Sequence, residues 1–500
     1  MKVDISRETF APALHFSRVL LQQGRVQLDA DFNEQIAILL HYLRTLATDV
    51  IGPHGGPADD RLGFALYNNA TLPNPPQNPP SGYDALNFII GPGHYFVGGL
   101  LCENDSFLMY QQADKPLPFP VQPDPPDVPL KVSTSYVAYL DAWERLVTIV
   151  QNDHIREVAL GGADTAARMQ VVYHIRVQEV QDVEEAKKRL EFAKLLRTNP
   201  ETLLTLIRPV PPAKGAAKLR ARVDPGSSSI ADEVCTLPPD SQYRGDENQL
   251  YRVEIHTDGT AGTAGKATFV WARDNASIVF PIVSAHGAVV TLESLGRDAL
   301  QALEVNDWVE YVNDKTPAPG VGELYQVRSV DPVGRTVTLQ KKDGSDASIS
   351  ADAKVHPFLR RWDYTDPAPN DTVGTGASPA LPADDGALQV PKESDDPLSG
   401  WIDLEDGVQI QFAATGATYL AGDYWLIPAR TATGDVEWPT QTPAGGDKPV
   451  PVALPAKHVE HHFAPLWLFS VDKNGLVDTS AATLFDLRRR IEPIAKPLTT

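Results

Sequence analysis

Between Asp29 and Val50 the large apolar residues Phe32, Ile36, Leu39, Leu43, Leu46 and Val50 follow one another at spacings of 4, 3, 4, 3 and 4. That rhythm belongs to a helix, and its 3.5-residue mean is a heptad seam with Ile36, Leu43 and Val50 at a and Phe32, Leu39 and Leu46 at d. Leu40 and Ala47, at e, widen the stripe beyond a strict coiled-coil seam. Asp29 or Asp31 is placed to accept from free N–H groups of the first turn, and Gly52-Pro53 ends the helix because Pro53 has no N–H to give. Left in water, six such side chains forfeit on the order of 10 kcal/mol as an upper bound. The stripe is therefore expected to be buried, either on this chain's own sheet or in a short bundle with symmetry mates. Fewer than three full heptads leave both homes open.

Upstream of the helix, residues 1–26 lack helical rhythm and contain Pro12, so they read as an extended arm. Downstream, short apolar runs alternate with Gly, Pro and Asp turns, the pattern of a mostly β chain. The expected class is α+β, mostly β. Its expected parts are an arm and amphipathic helix over 1–60 and a β domain with a terminal helical hairpin over 61–210. A central β segment follows over 211–276, then a small barrel-like insert over 277–350, a loop-rich linker over 351–400 and a C-terminal β region over 401–500. Prolines, 43 of 500 residues, cluster at Pro73–Pro80, Pro116–Pro129, Pro209–Pro212 and Pro439–Pro455, where they separate folded pieces. The helical stretch Val183–Arg197 carries Glu185 and Arg189 four apart, a surface pair.

A net charge of −21 repels phosphate and argues against nucleic acid as a partner. Cys102 and Cys235 stand alone, with neither a disulfide framework nor a CxxC metal clip. The opening Met1-Lys2-Val3-Asp4-Ile5 has no apolar signal core, and no apolar run reaches the roughly 20 residues that span a bilayer. Synthesis in the cytoplasm without a signal peptide and no membrane insertion are the expectations.

The segment His15-Phe16-Ser17-Arg18-Val19-Leu20-Leu21-Gln22-Gln23-Gly24-Arg25-Val26-Gln27-Leu28-Asp29-Ala30-Asp31-Phe32-Asn33-Glu34-Gln35 is joined by later blocks. These are Ile155–Thr165, Tyr243–His256, Trp271–Ser277 and Gly422–Arg430. Together they resemble an uncharacterised family encoded beside contractile injection system and phage-tail genes, and the arm and helix resemble the openings of phage tail and fibre proteins. The resemblance covers nearly the whole chain. Ala276 departs from the Asp-Asn-Gly-Ser turn of that family. The resemblance implies a structural subunit near the baseplate, in a cage around the spike or at a fibre attachment point. Its implied partners are further copies of itself in a trimer or hexamer-symmetric ring, and other baseplate, spike or tail proteins. The implied location is a tail-like particle released by lysis. The alternatives are a receptor- or carbohydrate-binding fibre-like module and a polysaccharide-cleaving tail enzyme.

Each chemical constellation has a plainer reading. His458-Val459-Glu460-His461-His462 lacks the HExxH spacing and a third ligand, so no metal is expected. Asp403, Glu405 and Asp406 invite glycosidase chemistry, but a local cluster among 65 acidic residues is expected by chance. Asp472-Lys473-Asn474-Gly475 reads as a hairpin turn rather than a calcium loop. The eight tryptophans read as core, with sugar stacking as the alternative. Arg360-Arg361 and Arg488-Arg489-Arg490 read as solvated basic spots. No catalytic residue and no cofactor is expected. Phe32, Ile36, Leu39, Leu43, Leu46 and Val50 are the candidate oligomer or docking interface.

Overall fold

The computed structural model describes residues 1–77, 80–114, 116–123, 128–181, 185–199, 201–207, 217–224, 242–262, 266–298, 300–316, 321–364, 383–413, 416–443, 448–480 and 482–492. The Pro209–Pro212 linker and Cys235 lie outside them. The chain is mostly β, with few helices and one closed six-stranded barrel.

Three β units are nested in sequence. The outer unit is built around the long strand Thr134–Val147, flanked by Arg168–Val180 on one side and His462–Val471 on the other. Side chains alternate along that strand with period two. Tyr136, Ala138, Leu140 and Ala142 enter one core with Tyr95, Val97 and Cys102. Val137 and Tyr139 face the helices Ala186–Thr198 and Glu201–Leu206, meeting Ala193, Leu196 and Leu203. A second sheet, ordered Arg490–Ile491, His54–Pro57, Gly93–Val97 and Leu100–Asn104, closes the first core. Here the backbones of Gly63 and Gly93 touch so closely that a Cβ on Gly63 would stand 2.5 Å from the Gly93 carbonyl carbon.

Inside this unit sits a two-sheet sandwich. One sheet runs Leu388–Gln389, Thr268–Ala272, Gln249–Thr257, Tyr424–Arg430, Asp435–Val436. The other runs Ile402–Asp403, Val408–Ala413, Lys218–Val223, Leu454–Pro455. The barrel is inserted between Thr268–Ala272 and Leu388–Gln389. Its strands Val279–His286, Val289–Leu292, Thr336–Gln340, Glu323–Asp331 and Trp308–Val312 are closed by Phe358–Trp362, which pairs with both the first and the last of them. Trp308 and Trp362 lie in the sandwich core and bind the barrel to it.

Two expected boundaries differ from this arrangement. The closing barrel strand Phe358–Trp362 falls in the expected 351–400 linker. The 401–500 region is divided: its strands up to Leu454–Pro455 complete the sandwich, and His462–Val471 returns to the outer unit. Arg189 also departs from expectation. It is buried, with its guanidinium donating to Ser135 Oγ at 2.8 Å and to the Thr483 carbonyl at 3.1 Å, while Lys188 is the neighbour of Glu185.

Candidate docking surface

The helix forms where the heptad places it, over Asp29–Ile51, and ends on Gly52, whose φ of +90° suits a residue without a Cβ. Asp31 accepts from the Leu28 N–H at 3.3 Å, an N-terminal cap contact. Asp29 instead accepts from the Ser6 N–H of the arm at 2.8 Å. Burial pushes the Asp29 carboxyl up, but the Ser6 hydrogen bonds outweigh it and hold the group below its ordinary value.

The helix lies on the body with its heptad stripe outward. Ile38, at heptad position c, is fully buried, and Ala30 nearly so. Arg44 Nη2 reaches Glu144 Oε1 at 2.7 Å, Glu34 Oε2 accepts from Thr9 Oγ1 at 2.6 Å, and the His41 ring meets Phe10 at 5.6 Å between centroids. All of these contacts use the b, c and f positions. The six stripe residues, Phe32, Ile36, Leu39, Leu43, Leu46 and Val50, are between 40% and 70% exposed. Of the two homes that the spacing left open, burial on the chain's own sheet is not found among the described residues.

The arm adds to this surface. Its first residues meet both sandwich and barrel, Lys2 pairing with Glu254 of the one and, at 3.9 Å, with Glu310 of the other. Lys2 Nζ lies 2.7 Å from Glu254 Oε1, and Glu254 Oε2 takes the Arg252 guanidinium. Glu310 in turn is met by Arg360 at 3.1 Å and by the Trp362 indole N–H at 3.3 Å. Burial pushes the Glu254 carboxyl up, and the nearby Lys2 and Arg252 charges overcome that and bring it down to about 2. Asn275, buried with φ +55°, donates to the carbonyls of Met1 and Val3, both at 2.9 Å. Asp274 and Ala276 share its left-handed conformation, so Ala276, where the expected turn has glycine, sits at φ +55°. By contrast the strap that follows leaves Leu14, Phe16, Leu20, Leu21 and Val26 exposed, and its Val19 N–H donates to Gln35 Oε1 on the helix flank at 2.8 Å.

The remaining constellations are structural. Glu405 is held by the Arg273 guanidinium, Asp403 accepts from Gln409 at 2.7 Å, and Asp406 sits at a positive-φ turn. His461 and His462 turn to different partners: His461 Nδ1 is 2.7 Å from buried Asp141 and its ring stacks on Trp143, whereas His462 packs on Gly98. Among the described residues no three His, Cys, Asp or Glu side chains gather as metal ligands. Asp472 Oδ1 accepts from the Asn474 and Leu476 N–H groups, making the expected hairpin turn. Seven tryptophans are buried and Trp438 is partly so. Of the basic spots, Arg489 and Arg490 are exposed as expected, whereas three arginines are not. Arg360 and Arg361 are buried and paired with Glu310 and Asp363, and Arg488 is buried against Asp486, the Gly63 carbonyl and the Trp467 ring. Sequence reasoning missed the Lys2, Glu254 and Glu310 network, because its members are separated by hundreds of residues and carry no local pattern.

Fold and surface together define a β-rich protein of nested units that presents an unpartnered helical face. The chain belongs to a family of unknown function, DUF6519, whose model matches residues 1–203 and 198–485. No curated protein and no solved structure matches it.

Proposed function

We propose that this protein is a non-enzymatic assembly subunit that docks through its arm helix, in a phage-tail-like contractile injection particle near the baseplate. The observation that carries this reading is the inverted helix: Ile38 inward and the whole heptad stripe outward. A lone soluble domain gains nothing from holding six large apolar side chains in water, and exposed apolar patches of that size mark interaction sites. The particle setting rests on the resemblance of His15–Gln35 to tail and fibre openings. Burial of seven tryptophans gives no support to a sugar-stacking face, and the ion pair of Glu405 with Arg273 gives none to a carboxylate pair free for catalysis.

Electron microscopy of particles from a strain lacking this chain is the test. Missing baseplate parts are expected. Particles that look intact but attach poorly would overturn the scaffold reading in favour of receptor binding, and wild-type particles that never contain the chain would overturn both.

A further inference from the structure

We infer that the occupant of the outward helix face is the same helix of a second copy of this chain, packed as a two-stranded coiled coil. The inference rests on the docking role proposed above and names the partner. Three observations carry it.

The first is area. With Leu40 and Tyr42 also exposed, the face leaves on the order of 700 Å² of apolar surface in water, above the ~300–600 Å² of the largest patch on a typical monomer and near the ~800 Å² per partner of a standard interface. The second is periodicity. A 3.5-residue repeat keeps a seam facing another helix along its whole length, whereas a helix laid on a sheet needs no heptad.

The third is charge. Copies of a chain with net charge −21 repel one another, so a self-interface must exclude like charges. The flanks do so: e holds Asn33, Leu40 and Ala47, and g holds Gln35, Tyr42 and, at the last turn only, Asp49. A partner of opposite charge would be met by acidic flanks, which are absent here. The seam sets the number: β-branched Ile36 and Val50 at a, with Leu39 and Leu46 at d, favour two strands, and Leu40 and Tyr42 widen the contact. The b, c and f positions are already committed to the chain's own body through Ile38, Arg44 and Glu34, so each helix of the pair carries its β units outward.

Sedimentation equilibrium of the full chain at micromolar concentration reads the result. The expected mass is twice the 54.4 kDa of the chain, and Leu43→Asp and, separately, Leu46→Gln reduce it to 54.4 kDa with an unchanged circular dichroism spectrum. A wild type that sediments as a monomer overturns self-association, a stable trimer overturns the two-strand count, and an oligomer whose mass both variants leave unchanged overturns the helix as the interface. These outcomes are separate from the particle test, since a chain found in the particle could still be monomeric in isolation.

Discussion

Arg44 Nη2 lies 2.7 Å from Glu144 Oε1, tying the middle of the arm helix to the long central strand of the outer unit. Both side chains are partly exposed, so the pair contributes about 1 kcal/mol or less. Its effect is on orientation. With Ile38 it fixes which side of the helix meets the body, and so turns the apolar stripe outward.

That orientation gives opposite costs to neighbouring positions. In the dilute, unassociated chain, Ile38→Ala is expected to lose ~2–5 kcal/mol of local stability by opening a buried cavity, whereas Leu43→Ala changes it by ~0.5 kcal/mol or less. Hydrogen exchange across the amides of Asp29–Ile51 measures both. Equal protection losses would mean that the face assignment is wrong.

Asn275 supports the arm with two donated hydrogen bonds and tolerates the left-handed turn better than most residues. Asn275→Ala removes both contributions, and a loss of ~2 kcal/mol in arm attachment follows. The amides of residues 2–6 then exchange faster while those of the barrel do not. Unchanged exchange in the arm would refute the anchoring role.

Glu254 separates the buried cations Lys2 and Arg252, and Glu254→Gln leaves them facing each other. Breaking such a buried group is expected to cost ~3–5 kcal/mol. The sign with pH follows from the lowered carboxyl: its contribution is complete above the ordinary glutamate value of ~4.5 and fades as pH falls toward about 2. Calorimetry should show wild type and Glu254→Gln converging across that window. A constant gap would exclude the charge of Glu254 as the cause.

His54 is fully buried, with Nδ1 2.9 Å from the Tyr95 hydroxyl. Burial first, and then the Arg489 charge, lower its imidazole to about 4. The neutral ring is therefore favoured in the folded chain. Its contribution is complete above ~6.5 and declines as pH falls through about 4, with a total of about 3 kcal/mol. His54→Asn, which keeps an acceptor, should flatten the stability profile between these limits. An identical slope in the variant would rule out His54 as the titrating group.

The two scales of this structure were unequally legible in the sequence. Local periodicity is a property of neighbours, so the helix Asp29–Ile51 and the barrel strands Trp308–Val312 and Thr336–Gln340 follow from pattern alone. The strand Phe358–Trp362 was hidden because Arg360-Arg361 reads as a solvated spot, and the acidic partners that let it be buried, Glu310 and Asp363, are supplied by the fold. The stripe on the arm helix was legible as apolar, but the side of the helix that meets the body depends on Glu144, a hundred residues away. Pairing of His462–Val471 with Thr134–Val147 spans more than three hundred residues and leaves no trace in either segment.

That last pairing has a consequence for synthesis. The core beneath Tyr136 and Leu140 lacks its second neighbouring strand until residue 471 has left the ribosome, while the sandwich and the barrel between them are already complete. Glu144, which orients the arm helix, lies on that unfinished sheet. The apolar face is thus displayed in its final direction only after nearly all of the chain has been made. Late closure of one sheet postpones the outward setting of the helix until the sandwich and the barrel have been made.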